Sequence, residues 1–321
     1  MGQAPPTITP ESAGFVIPAV PSWQGRLMTG LVRLIVKRWP RDNVPALVRR
    51  SRWVFSSPAI FTAPYIHGLE VRQVNENGIK GEWLIPPQAA DKKVLLYLHG
   101  GAYISCSPQS HRPITATLAK LLHWRVFALD YRLAPENPFP AAVDDAAACY
   151  SWLLKQGIAA HDITIAGDSA GGGLALALML RLRREGSELP AAAVCFAPWV
   201  DLTGKCEYRN DKNCAMFRGS DVGTFACLYL NGAPAESEEA SPVFADLHGL
   251  PPLLIQVSSS ELLLDEATRL HENAQAAGVP SRLSIYPGLS HVWQIFGRLV
   301  PESGMALKEA ADFMRAVSPA S

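Results

Sequence analysis

The sequence predicts an α/β fold, a mostly parallel central sheet flanked by helices. Three observations carry this. Short apolar, β-branched runs alternate with longer stretches of helix formers along most of the chain. The run Ile163–Ala166 passes into the helix-forming Leu174–Arg184 across a glycine-rich turn. Hydrophobic residues make up 48% of the 321, enough to bury a sheet on both faces. Lys+Arg and Asp+Glu balance at 29 each, so no overall basic field points to nucleic acid.

Taken in order, Met1–Val20 is polar and Pro-rich and reads as irregular. It lacks a basic n-region, so no secretory signal is expected. Met1-Gly2 starts a myristoylation pattern that Pro6 breaks. From Ser22 to about Trp39, Trp23, Leu27, Leu31, Leu34 and Ile35 recur near helical spacing with Arg26, Arg33, Lys37 and Arg38 between them. This is an amphipathic basic helix, expected to lay its apolar face on the main domain rather than on a membrane. Val44–Phe55 is expected to do likewise. Strands follow at Leu69–Val74 and Gly81–Ile85, joined by the turn material Asn75–Gly78. Val94–Leu98 is a strand, Ile114–Leu122 a helix, Val126–Asp130 a strand and Ala141–Leu154 a helix. The Ile163 strand, the Leu174 helix and a strand at Ala191–Ala197 continue the alternation. Between Thr203 and Leu247 it breaks, with one helix-like piece near Asp221–Leu230; so long an irregular stretch in a compact domain reads as a lid. Alternation then resumes with strand Leu253–Val257, helix Leu262–Ala276, strand Arg282–Tyr286 and a helix near Met305–Val317.

The six cysteines show no C-x-x-C spacing, so neither zinc nor a dithiol redox centre is expected. Cys149 and Cys195 sit in apolar patterns and read as buried small hydrophobes. No apolar run reaches membrane-spanning length. A soluble cytoplasmic protein with reduced thiols is the expectation.

Gly167-Asp168-Ser169-Ala170-Gly171 is a G-x-S-x-G set between a strand and a helix, the context of a nucleophile elbow. Serine is a poor nucleophile at its free pKa and needs a base, an orienter for that base and oxyanion donors. Partners must come from loops at the same sheet edge. His271 lies inside a helical pattern, whereas His291 lies in the loop Pro287–His291 after the last strand and is the expected base. The loop after Leu253–Val257 offers Glu261 as the acid, with Asp265 as the alternative. Asp265 and Glu266 fall in the first helical turn, where acids complement the macrodipole. The oxyanion donors should be Ala170 N–H and an amide of the turn His99-Gly100-Gly101-Ala102-Tyr103.

With these motifs, and with Asp130–Glu136, Phe139–Asp145 and Pro198–Leu202, the chain closely resembles the bacterial hormone-sensitive-lipase-like (family IV) carboxylesterases, from about Leu69 to the C-terminus. The resemblance implies an α/β-hydrolase fold with a helical cap. It divides the chain into residues 1–55 and 203–247 as cap, and 56–202 and 248–321 as the two parts of the catalytic domain. It implies hydrolysis of short- to medium-chain acyl esters without a cofactor or metal. Ser169 would be the nucleophile, His291 the base, and Gly100, Gly101 and Ala170 the oxyanion donors. Glu261 stands where the family usually has Asp. His99 would support its turn, and Asp130, Arg132, Asp144 and Asp145 would pair with one another as scaffold. The expected partner is a small ester; nucleic acid and membrane are not expected, and a homodimer is compatible. Lactone hydrolase and deacetylase are the enzyme alternatives, and a receptor on the same fold is the rival from another class. Phe15, Trp23, Met216, Phe217 and Trp293 are candidates for the pocket wall.

Overall fold

The computed structural model describes residues 17–39, 43–55 and 59–318. Eight strands form one sheet in the order β1-β2-β4-β3-β5-β6-β7-β8. The strands are β1 (Glu70–Glu76), β2 (Ile79–Ile85), β3 (Ala90–Leu98), β4 (Trp124–Leu129), β5 (Ile163–Asp168), β6 (Ala192–Phe196), β7 (Leu253–Ser258) and β8 (Ser281–Tyr286). β1 and β2 are a hairpin whose turn residues Asn77 and Gly78 both take positive φ, the geometry that matches strand twist. β2 pairs antiparallel with β4 as well, and every later pairing is parallel.

Helices α1 (Trp23–Ile35), α2 (Val44–Phe55) and α3 (Ala59–Ile66) precede the sheet. Helices α4 (Arg112–Leu122), α5 (Ala141–Lys155), α6 (Ala170–Arg184), α8 (Leu264–Ala276) and α9 (Pro301–Val317) cover it, while α7 (Gly219–Leu230) lies in the long insert. Residues of one β3 strand divide between two cores: Val94, Leu96 and Leu98 join the larger cluster with α5 and α6, and Leu95 and Tyr97 join the cluster with α4 and α9. That is the period-2 alternation of a sheet covered on both faces. α6 is apolar around most of its circumference and buried from Ala170 to Leu180, as a helix pressed between the sheet and its neighbour α5 must be.

Two expectations fail. α1 does not lay its apolar face on the domain. It packs through Gly25, Val32 and Val36, while Trp23, Leu27, Leu31, Leu34 and Ile35 face outward. The reason is in the helix's own pattern: a Gly25–Val32–Val36 stripe is narrower and lies on the opposite side. The scaffold charges also pair differently. Arg132 does bind Asp145 at 2.8 Å, but Asp130 binds Lys80 at 2.5 Å and Asp144 binds Arg181, each partner distant in sequence. Phe15 lies outside the described residues. Among those residues no helix is long and apolar enough to cross a membrane, and all six cysteines are free.

Candidate active site

β5 and α6 meet at Ser169, which holds φ 52° and ψ −121°. That conformation is costly for any residue with a Cβ. Surrounding hydrogen bonds over-determine it: Ser169 N donates to Phe196 O at 2.8 Å, and Ser169 O accepts from Trp199 N at 2.9 Å. Glycine is obligatory at the flank, since a Cβ on Gly171 would lie 2.0 Å from Leu98 O. The hydroxyl thus stands at the N-terminus of α6, where free amides and the helix dipole favour negative charge.

Loops after β7 and β8 bring in the other two groups. His291 Nδ1 lies 3.4 Å from Glu261 Oε1, both buried. The contact is longer than an ordinary hydrogen bond. Serines preceding Glu261 lock the two loops together. Ser258 Oγ accepts from Leu289 N at 2.9 Å and donates to Leu289 O at 2.8 Å, and Ser259 Oγ accepts from Gly288 N at 3.0 Å. Glu261 Oε2 accepts from Ser258 N at 3.3 Å. His291 Nε2 is buried with no hydrogen bond among the described residues, and its ring meets Phe217 edge-on at 5.1 Å. Asp265 goes elsewhere: its Oδ2 accepts from Arg209 N at 3.3 Å. Glu266 is no exposed dipole partner either. It is fully buried, and accepts from Val200 N and Asp201 N at 2.8 and 2.9 Å. Burial pushes its carboxyl well above the usual range. His271 contacts Ser281 Oγ at 2.9 Å, away from the site.

The Gly100 amide has a partner within the fold. Its N–H donates to Asp168 Oδ1 at 3.0 Å, so the expected donor is already engaged. The amides of Gly101, Ala102 and Ala170 make no hydrogen bond among the described residues. Gly101 and Ala102 take φ of 110° and 54° and border the same cavity as Ser169. Sequence reasoning did not single out the Ala102 amide, because the engagement of Gly100 spans 68 residues.

Asp168 is the hub beneath the turn. Tyr97 OH donates to its Oδ1 at 2.6 Å and His111 Nε2 lies 3.2 Å from its Oδ2. Burial works against the charge, but His111 and Tyr97 outweigh it and hold the carboxyl below its usual value. His99 stacks on Tyr131 at 4.2 Å, its Nδ1 lying 2.8 Å from Gly100 O. Burial and the nearby His111 lower its pKa to about 4, so the ring is neutral near pH 7 and serves the turn. Cys106 also borders the cavity, but burial pushes its thiol up to about 12, which leaves it unreactive.

Two lobes meet at Ser169. The larger, about 280 Å³, runs between His291, Val32 and Val36 of α1, Val54 and Phe55 of α2, and Met216 and Phe217 of the insert. The smaller, about 20 Å³, is lined by Trp199, Phe217, Val222, Phe225, Leu262 and Leu263. Of the pocket-wall candidates, Met216 and Phe217 line a lobe, Trp293 is fully buried against Tyr286, and Trp23 points to solvent.

A model for the alpha/beta hydrolase fold matches residues 95–295. The chain belongs to that family. Within it, an esterase crystal structure from the bacterial hormone-sensitive-lipase family superposes with TM-score 0.85 at 38% identity, covering 92% of this chain and 98% of that one. A hormone-sensitive lipase from a metagenome library does so with TM-score 0.85 at 36% identity, covering 93% and 99%. An acetyl-hydrolase of Streptomyces hygroscopicus is 44% identical over 73% of this chain and 79% of its own length. An esterase of Acinetobacter venetianus is 37% identical over 76% and 82%. This hormone-sensitive-lipase-like chain is accordingly a carboxylic ester hydrolase.

Proposed function

We propose that Ser169, His291 and Glu261 are the catalytic residues of a serine carboxylesterase that cleaves short acyl esters. Ser169 Oγ bonds to the ester carbonyl carbon while His291 Nε2 takes the hydroxyl proton. The oxyanion is held by the amides of Gly101, Ala102 and Ala170. Collapse breaks the bond to the alcohol oxygen, which leaves with the proton from His291. Water, deprotonated by His291, attacks the acyl-enzyme, and the carboxylate departs as Ser169 regains its proton. Glu261 holds Nδ1–H and stabilises the charged ring. The observation that carries this reading is His291 Nε2, a buried atom without a partner among the described residues, bordering the cavity that Ser169 borders, with the ring's other nitrogen toward Glu261.

Residues 1–55 and 203–247 act in this reading as the cap, since α1, α2 and the insert supply the walls of the large lobe. The small lobe has room for little more than a methyl group, which suits an acetyl group, with the alcohol in the larger lobe. Relatives named acetyl-hydrolase support this. It also keeps open removal of acetyl groups from bulkier molecules, the deacetylase reading. We place the enzyme in the cytoplasm, where free thiols stay reduced; neither nucleic acid nor a cofactor has a part in the reaction. The test is a p-nitrophenyl ester series together with fluorophosphonate labelling. The wild type should be labelled at Ser169 and prefer acetate and butyrate over decanoate by more than about tenfold in kcat/KM. A Ser169→Ala protein that still releases p-nitrophenol at near wild-type rate would overturn the mechanism, and a rate rising with chain length would overturn the acyl assignment.

A further inference from the structure

We infer that the outer face of α1 docks on an anionic lipid surface. This differs from the expectation drawn from the sequence, and rests on what the fold leaves outside. On α1, Trp23, Leu27 and Leu34 are 65%, 53% and 55% exposed, and Leu31 and Ile35 complete one continuous outward stripe. Contiguous apolar surface of this kind marks a contact site rather than ordinary surface scatter. Charge says which contact. Between Ile17 and Leu69 the sequence has eight Lys and Arg against one acid, Asp42, although the whole chain balances at 29 and 29. Arg26 and Arg38 flank the stripe in the open. Arg33 and Lys37 bind carbonyl oxygens of residues 211–214, neutral groups, and make no ion pair among the described residues.

An apolar stripe with a Trp at one end and cationic flanks matches the boundary between headgroups and acyl chains of an anionic layer. A second copy fits poorly, because an isologous contact would set one basic face against another. The opposite side of the same helix, Val32 and Val36, walls the large lobe. Docking therefore puts one wall of the ester-binding cavity at the lipid boundary without blocking it.

The test is co-sedimentation of the full chain with phosphatidylglycerol–phosphatidylcholine vesicles and with phosphatidylcholine vesicles, alongside light scattering of the free protein. Partition should be at least tenfold stronger on the anionic vesicles and weaken with salt. Leu27→Glu/Leu34→Glu should lose at least tenfold in partition and Arg26→Gln/Arg38→Gln severalfold, while both keep wild-type hydrolysis of p-nitrophenyl acetate in solution. That activity reports folding, and sedimentation reads docking whether or not the ester reading holds. Absence of vesicle binding by the full chain, or equal binding by the Leu27→Glu/Leu34→Glu protein, would overturn the inference. So would a dimer in light scattering that the leucine substitutions dissolve, with no vesicle binding.

Discussion

The β5–α6 corner and helix α1 both border the cavity at Ser169, yet they are specified in opposite ways. At the corner the backbone is the constraint. Cβ atoms on Gly171 and Gly173 would lie 2.0 and 2.1 Å from Leu98 O and Trp199 O, and Ser169 is held at positive φ by bonds to Phe196 and Trp199. On α1 the side chains carry the pattern and the backbone is permissive: a Cβ on Gly30 would meet nothing within 4 Å. The corner is built where little can shift, and α1 where much can change. Substitutions on the two sides should therefore differ in kind as well as size.

The largest effect is expected at the hydroxyl. If Ser169 is the nucleophile proposed above, Ser169→Ala should lower kcat by on the order of 10⁶, the loss known for serine triads, with stability within about 0.5 kcal/mol of wild type. Ser169→Gly should be equally inactive but more stable than Ser169→Ala by about 1 kcal/mol, because glycine relieves the positive φ. Denaturant titration of both checks this; equal stability would mean that the corner stores no strain. Gly171→Ala should be the most damaging change to the fold, costing more than about 3 kcal/mol, since only a backbone shift of β3 or α6 can relieve the overlap. Melting of that protein within a degree of wild type would break the contrast between the corner and α1.

The acid is next. Glu261→Gln should cut kcat by about 10² to 10⁴, whereas Asp265→Asn should change it less than about twofold. Kinetics of the pair with p-nitrophenyl acetate decide it, and a crippled Asp265→Asn protein would remove Glu261 from the mechanism.

Acid should also weaken the corner. His99 has its folded pKa lowered from 6.5 to about 4, so between those values the unfolded chain binds a proton that the folded one does not. Stability from this group is full above about pH 6.5 and is lost as pH falls toward 4, by at most about 1.4 kcal/mol per unit. The depressed carboxyl of Asp168 adds a loss in the same direction at lower pH, as its charge is stabilised only in the fold. Denaturant midpoints from pH 7 to 4 should fall, and His99→Gln should flatten the slope. An unchanged slope in that protein would assign the acid sensitivity elsewhere.

How much of this was legible in the sequence follows the same division. The strand-to-helix turn at Ser169 and eight of the nine helices of the described residues were readable because local pattern and turn chemistry agree there. α3 escaped the pattern: it is eight residues long and contains Pro64, which ordinarily argues against a helix. The hydrogen bond that engages the Gly100 amide joins residues 68 apart, and no periodicity reports such a contact. The clamp of Ser258 and Ser259 on Gly288 and Leu289 could have been suspected from three serines in a row before Glu261, though their partners could not. For α1 the amphipathic pattern was correct and its orientation was not, because periodicity locates an apolar face without saying what it meets.

The smallest effect tests that orientation. Gly30 is exposed in the middle of α1 with helical backbone and open space beside it. Alanine there removes conformational freedom from the unfolded chain and adds no clash, so Gly30→Ala should stabilise by about 0.5 to 1 kcal/mol. Activity on p-nitrophenyl acetate should not change, because the cavity wall is formed by Val32 and Val36 on the other side of the helix. The gain applies only where the helix's outer face meets water or a fluid boundary. Were α1 pressed outward-face-first onto another part of the fold, the added methyl would intrude on a packed surface and lower stability instead. The sign of the change in denaturant midpoint thus reports which way α1 faces, independently of lipid.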